Sequence, residues 1–150
     1  MDRAGHLRTN PEALFNGWES ARILHFNGEK FLTEGNHLAY VPVHQVPDNE
    51  ESYFLGEDED GIHYYVLHSR TLYGLHENYK TIREVDVDDK EVGLAVHAQG
   101  LSLWHLRHPV CSQCGSETQP TLAGSVRRCI RCESDHYPRT DPAIIVLTRD

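Results

Sequence analysis

Four cysteines fall within 22 residues, and none occurs elsewhere in the 150-residue chain. They form two pairs, Cys111-x2-Cys114 and Cys129-x2-Cys132, with fourteen residues between the pairs. Each pair can set two thiolates on one side of a tight turn. Two such turns facing each other offer four sulfurs in a tetrahedron, the arrangement that structural zinc takes. The spacer is just below the usual range of roughly 15–20 residues, long enough for a two-stranded ribbon turning near Ala123-Gly124. Gly115 follows the second cysteine and eases that turn, because glycine tolerates positive φ. Four thiolates leave no open coordination position, so a zinc here holds the fold and does not activate water. Two disulfides, or iron on the same ligands, are the alternatives. Clustering in an otherwise cysteine-free chain favours metal over a disulfide framework. His108 and His136 flank the cluster and are expected beside the metal, not on it. The other nine histidines show no paired metal-ligand spacing.

Charge adds a weaker signal. The net charge is −9. The first hundred residues carry 8 Lys and Arg against 18 Asp and Glu. Such an acidic body argues against broad duplex binding, which needs many cationic phosphate contacts. Arg127, Arg128, Arg131 and Arg139 make the C-terminal third locally basic. They suit a phosphate-bearing ligand, or they are solvated arginines on a small module. No apolar run approaches the roughly 20 residues that span a bilayer. The first residues, MDRAGHLRTNPEALF, lack the apolar core of a secretory signal. The expected compartment is the cytoplasm, with no membrane partner.

These residues need a scaffold, and the preceding sequence supplies an α+β pattern. PEALFNGWE predicts a short helix with Pro11 in its first position. ARILHF, EKFLTEG and HLAYVPV read as strands, with Asn27-Gly28 suited to a tight turn after the first. SYFLG and IHYYVLHS flank the acidic stretch GEDEDG as a second hairpin. Asp88 and Glu91 form a helix-starting pair. Val92, Val96, Leu103 and Leu106 then recur at helical spacing, with Leu94, Ala98 and Leu101 beside them, predicting one amphipathic helix over 88–106. Gly100 weakens it by about 1 kcal/mol relative to Ala, and Pro109 ends it. The expected organisation is a β-rich α+β domain at 1–107 closed by a helix, a zinc ribbon at 108–138, and the start of a further domain at 139–150.

The segment HPVCSQCGSETQPTLAGSVRRCIRCESDHYPRTDPAIIVL resembles the zinc ribbon and exit strand of NADH pyrophosphatases, a branch of the Nudix hydrolases. The features carrying the resemblance are Cys-x2-Cys-Gly, the fourteen-residue loop, the second Cys-x2-Cys, and Tyr137-Pro138-Arg139 leading through Asp141-Pro142 into an aliphatic strand. Leu103-Trp104, near the end of the helix before the first cysteine, fits as well. The first hundred residues match in outline only. The resemblance implies hydrolysis of NADH or NAD to nicotinamide mononucleotide and AMP, with NAD-capped RNA as a further substrate of some members. It also implies Mg2+ or Mn2+ held by the glutamates of a Nudix box, and a homodimer.

That box, Gly-x5-Glu-x7-Arg-Glu-x2-Glu-Glu-x-Gly, is not matched here. REVDVDDKEVG at Arg83 imitates its second half, but Leu75, Ser69 and Val87-Asp88 stand where its Glu, Gly and Glu-Glu belong. No catalytic residue is therefore assigned, and the chain alone is expected to be inactive. AIIVLTRD is expected to be the first strand of a truncated Nudix domain. By the same resemblance Tyr137 contacts the dinucleotide, with ring packing inside the ribbon as the alternative. Arg83 pairs with substrate phosphate, with a surface ion pair to Glu84 or Asp86 as the alternative. Gly124 stands where the family can place an acidic substrate contact. The competing reading of the whole chain is a stand-alone zinc-ribbon binding or dimerisation module.

Overall fold

A computed structural model of the chain describes residues 1–139 and Val146. The predicted strand AIIVLTRD lies almost wholly outside the described residues. The chain opens with a 3-10 turn at Gly5–Thr9 and helix α1, Pro11–Asn16. Asn10 caps α1 by accepting from the Ala13 N–H at 3.1 Å. The helix is shorter than the expected 11–19. Gly17 packs so close to the His63 ring that any Cβ there would collide with it.

The first seven strands are β1 (Arg22–Phe26), β2 (Phe31–Glu34), β3 (His37–Leu38), β4 (Tyr40–Val41), β5 (Ser52–Glu57), β6 (His63–His68) and β7 (Tyr79–Lys80). They form one sheet in the order β3-β2-β1-β6-β5, with β4 added on β1 and β7 on β2. β1 and β6 pair in parallel, from Arg22 opposite Tyr64 to Phe26 opposite His68. The other pairings are antiparallel. The β1–β2 turn takes four residues, because Asn27 Oδ1 accepts from both the Glu29 and Lys30 N–H groups. GEDEDG does close the β5–β6 hairpin. Asp58 organises it, accepting from Asp60 N, Ile62 N, the Tyr64 hydroxyl and Lys90 Nζ.

Both sheet faces are covered, which explains why these strands are apolar on successive residues and do not alternate. Leu24, Phe26, Tyr53, Leu55, Tyr64 and Val66 face helix α2, Asp89–Arg107. Ile23, Phe54, Tyr65 and Leu67 face the N-terminal turn and α1, against Ala4, Leu7, Leu14 and Trp18. Helix α2 starts as the sequence predicts, with Asp88 accepting from Glu91 N at 2.8 Å. Its buried face differs. Leu94, Ala95, Ala98, Leu101, Trp104 and His105 point inward. Val92, Val96 and Leu106, which led the predicted stripe, are exposed. Two apolar stripes lie on this helix about 180° apart at 100° per residue, and spacing alone does not choose between them.

Three further strands, β8 (Thr118–Thr121), β9 (Val126–Cys129) and β10 (Asp135–His136), make a separate antiparallel sheet in the order β10-β9-β8. Cys129 ends β9, Cys132 lies between β9 and β10, and Cys111 and Cys114 precede β8.

Candidate metal centre and adjoining cleft

The ribbon is built from two like turns. In the first, Gly115 N–H returns to Cys111 O at 2.9 Å, with Gly115 at φ +72°. In the second, Glu133 N–H returns to Cys129 O at 3.2 Å, with Glu133 at φ +58°. Glycine signals the first turn in the sequence; the second uses a residue that gives no such signal. Backbone N–H groups reach the sulfurs from inside each turn, Gln113 to Cys111 and Arg131 to Cys129, both at 3.4 Å.

The four Sγ atoms lie within 4.8 Å of one another, and all four cysteines are free. Cys111 and Cys132 approach to 3.6 Å, Cys114 and Cys129 to 3.5 Å. Zinc with four thiolates at about 2.3 Å requires sulfurs about 3.8 Å apart. The residues present therefore fit the ion, whose chemistry here is to tie the two turns together. In its absence the thiols differ. Burial pushes Cys111 up to about 11, while hydrogen bonds from Ser116 hold Cys114 down to about 6. Zinc would take all four as thiolates. Neither flanking histidine joins the cluster. His108 Nδ1 bonds Trp104 O at 2.8 Å, and His136 sits in β10 opposite Arg127.

The ribbon's far end docks on the α+β domain. Its tip, Leu122–Gly124, has three consecutive residues with positive φ. Gly124 is buried, and a Cβ there would run into the Tyr53 ring. An acidic side chain at this position is thus barred by packing. His105 stacks on Tyr53 at 3.8 Å between centroids and bonds Gly124 O through Nε2 at 2.7 Å. A carbonyl only accepts, so Nε2 carries the proton and Nδ1 accepts from Arg127 at 2.9 Å. Arg127 also donates to Thr118 Oγ1 at 2.7 Å and Thr118 O at 2.6 Å. Burial, then the nearby Arg127, pulls His105 down to about 4, so it is neutral at physiological pH.

Arg127 thereby leaves the locally basic surface that the sequence offered. Arg127 is buried and fully engaged. Arg128 forks onto Asp135 at 2.7 and 2.9 Å. The alternative reading of Arg83, an ion pair with Glu84 or Asp86, is not formed among the described residues. Arg83 is exposed, while Glu84 accepts from Thr81 N and Oγ1.

Tyr137 is 62% exposed and lines a cleft of about 620 Å³ between the ribbon exit, α2 and the N-terminal turn. Arg3, Arg8, His97 and Trp104 line it too; Arg83 does not. The docking pair His105–Arg127 and the N-terminal arginines are missing from the sequence reading. No local spacing announces contacts between residues 22 or more positions apart.

Residues 106–137 match the family described as the NADH pyrophosphatase zinc ribbon domain. The NAD-capped RNA hydrolase NudC of Mycobacterium tuberculosis is 30% identical over 165 residues, covering 99% of this chain and 50% of that protein. Both comparisons support the NADH pyrophosphatase branch of the Nudix hydrolases. A mouse protein, NAD(P)H pyrophosphatase NUDT13, is 42% identical over 53 residues, 35% of this chain and 15% of its own. Nudix hydrolase 19 of Arabidopsis thaliana is 39% identical over 62 residues, 40% of this chain and 14% of its own. The chain spans about half the length of the NudC relatives it matches. Among its described helices none is long and apolar enough to cross a membrane.

Proposed function

We propose that residues 1–150 form the N-terminal and zinc-ribbon portion of an NAD(H) pyrophosphatase. The reaction is hydrolysis of the dinucleotide pyrophosphate to nicotinamide mononucleotide and AMP. The observation that carries this reading is the four-cysteine ribbon, continuous with Tyr137-Pro138-Arg139, in a chain whose full length aligns with an NAD-capped RNA hydrolase. The ribbon zinc is structural. The metal that polarises a pyrophosphate is Mg2+ or Mn2+, and it belongs to carboxylates that these 150 residues do not provide in the required pattern. Substrate contact on this portion falls to Tyr137 and Arg83. NADH, NAD and NAD-capped RNA are the substrate candidates, and the working form is a cytoplasmic homodimer. The 1–107 and 108–138 units serve as its scaffold. A stand-alone nucleic-acid module is less well supported, because Arg127 and Arg128 are engaged within the fold.

The test has two parts. The coding frame is read past codon 150, and NADH cleavage with Mg2+ is assayed on the zinc-loaded chain and on any longer product. An in-frame Nudix box, turnover by the longer product and none by the chain are expected. Appreciable turnover by these 150 residues, or a stop codon after Asp150, would overturn the reading.

A further inference from the structure

We propose that Cys132 is a peroxide-sensitive thiolate whose oxidation exchanges the ribbon's zinc for a reversible Cys111–Cys132 disulfide. The proposal goes beyond the pyrophosphatase reading and needs only the four-cysteine centre.

The four sulfurs are chemically alike but unequally placed. Cys111 and Cys129 are 2% and 1% exposed, Cys114 is half-buried, and Cys132 is exposed. With zinc bound all four are thiolates, so acidity does not choose among them and access does. Distance then chooses the partner. The short Sγ contacts run across the two turns, Cys132 to Cys111 at 3.6 Å and Cys114 to Cys129 at 3.5 Å. Cys132 thus meets an oxidant from solvent, while Cys111 waits behind it, shielded from the same oxidant. An exposed thiolate beside a resolving thiol is the arrangement of a reversible redox site.

The oxidant is hydrogen peroxide. The Cys132 thiolate attacks one peroxide oxygen, the O–O bond breaks, and Cys132 sulfenic acid and hydroxide form. The Cys111 thiolate then attacks the Cys132 sulfur, forming the S–S bond and expelling a second hydroxide. Two thiolates are oxidised by one electron each, and one peroxide is reduced to two hydroxides. Cys114 and Cys129 alone are too few to close a tetrahedral site, so the ion is released. The disulfide joins the same two turns that the ion joined. It closes residues 111–132 into a loop, which restrains the unfolded chain. The oxidised ribbon therefore keeps its tip on Tyr53 and His105. A dithiol reductant with zinc restores the starting state.

The test is a peroxide titration of the reduced, zinc-loaded chain, with released zinc read by a chromogenic chelator and the disulfide mapped by trypsin and mass spectrometry. Cleavage after Arg107, Arg127, Arg128, Arg131 and Arg139 puts Cys111 and Cys114 on 108–127, Cys129 on 129–131 and Cys132 on 132–139. Met1 is the one methionine, and its sulfoxide gains oxygen where a disulfide loses hydrogen. The first product should join 108–127 to 132–139 through Cys111, with one zinc released for each disulfide. It should melt above the chain that is reduced and chelated, and a dithiol with zinc should reverse it. Cys132→His keeps a four-ligand zinc set and should slow zinc release by about tenfold or more, because the accessible nucleophile is gone. Where that variant does not take zinc, the map of the unaltered chain decides. Zinc retained under peroxide, a first disulfide on Cys129, an oxidised chain melting no higher than the chelated one, or undiminished release from zinc-loaded Cys132→His would each overturn the proposal alone. A chain that carries no zinc before peroxide is added overturns the metal centre with it.

Discussion

At the scale of single residues, Arg127 and His105 show how a charge read as a surface patch becomes a joint. Arg127 saturates Thr118 and the Nδ1 of a neutral histidine whose other nitrogen holds the ribbon tip. Arg127→Met removes both contacts and leaves buried acceptors bare. It should cost about 2 kcal/mol or more in urea unfolding. Arg128→Met removes an exposed pair and should cost no more than about 1 kcal/mol. Equal losses would contradict the buried joint. His105 also sets a pH dependence. It titrates near 4 in the fold against an ordinary 6.5. Between those values the unfolded chain takes up a proton that the folded chain refuses. Stability is therefore complete above about 6.5 and falls as pH drops toward 4. His97 is lowered in the same direction, by burial and then Arg3 and Arg8. His105→Gln should flatten the slope of unfolding free energy against pH without abolishing it. An unchanged slope would mean that His105 is not held neutral.

At the scale of elements, helix α2 carries the most information. It joins the sheet to the ribbon and fixes His105 and Trp104 along one face. Leu94→Ala should cost roughly 2–5 kcal/mol, because Leu94 is 1% exposed in the core. Val96→Ser should fall within about 0.5 kcal/mol, because Val96 is 57% exposed. A reversal of these two would restore the stripe expected from spacing. Gly100→Ala should raise stability by about 1 kcal/mol, since the site is open and helical. The helix itself was legible from Asp88, Glu91 and Pro109, which act locally. Its inward face was not, because Val92, Val96 and Leu106 repeat as regularly as Leu94, Ala98 and Leu101. The choice is made by the sheet, through Leu55, Tyr64 and Val66. The strands were legible for a similar local reason, in their β-branched and aromatic runs. The parallel β1–β6 pairing was not, since it joins segments about forty residues apart. The four clustered cysteines were the most legible part of the site, because their spacing is itself the turn geometry. Arg3 and Arg8 gave no such signal; they reach the cleft only when α2 and the N-terminal turn come together.

At the scale of the whole molecule, a zinc on the four cysteines would tie ligand turns, ribbon and sheet. Cys111, Cys114, Cys129 and Cys132 would hold the metal at one end, and Gly124 with Ala123 rests on the sheet domain at the other. Chelation should therefore disorder the ribbon and also lower the melting temperature of the α+β domain. It deprives Tyr53 and His105 of the tip they pack against. A ribbon that melts alone, leaving the Tyr53 environment unchanged, would show that the two sheets are energetically separate. We propose that Cys111, Cys114, Cys129 and Cys132 hold one ion. The decisive measurement is native mass spectrometry of the purified chain beside its Cys129→Ser variant, with each melting temperature. One zinc per chain, bound with loss of thiol protons, and a variant that loses both zinc and the cooperative melt of the ribbon are the expected result. A chain isolated without metal, or a variant that keeps its zinc and its melting temperature, would contradict it.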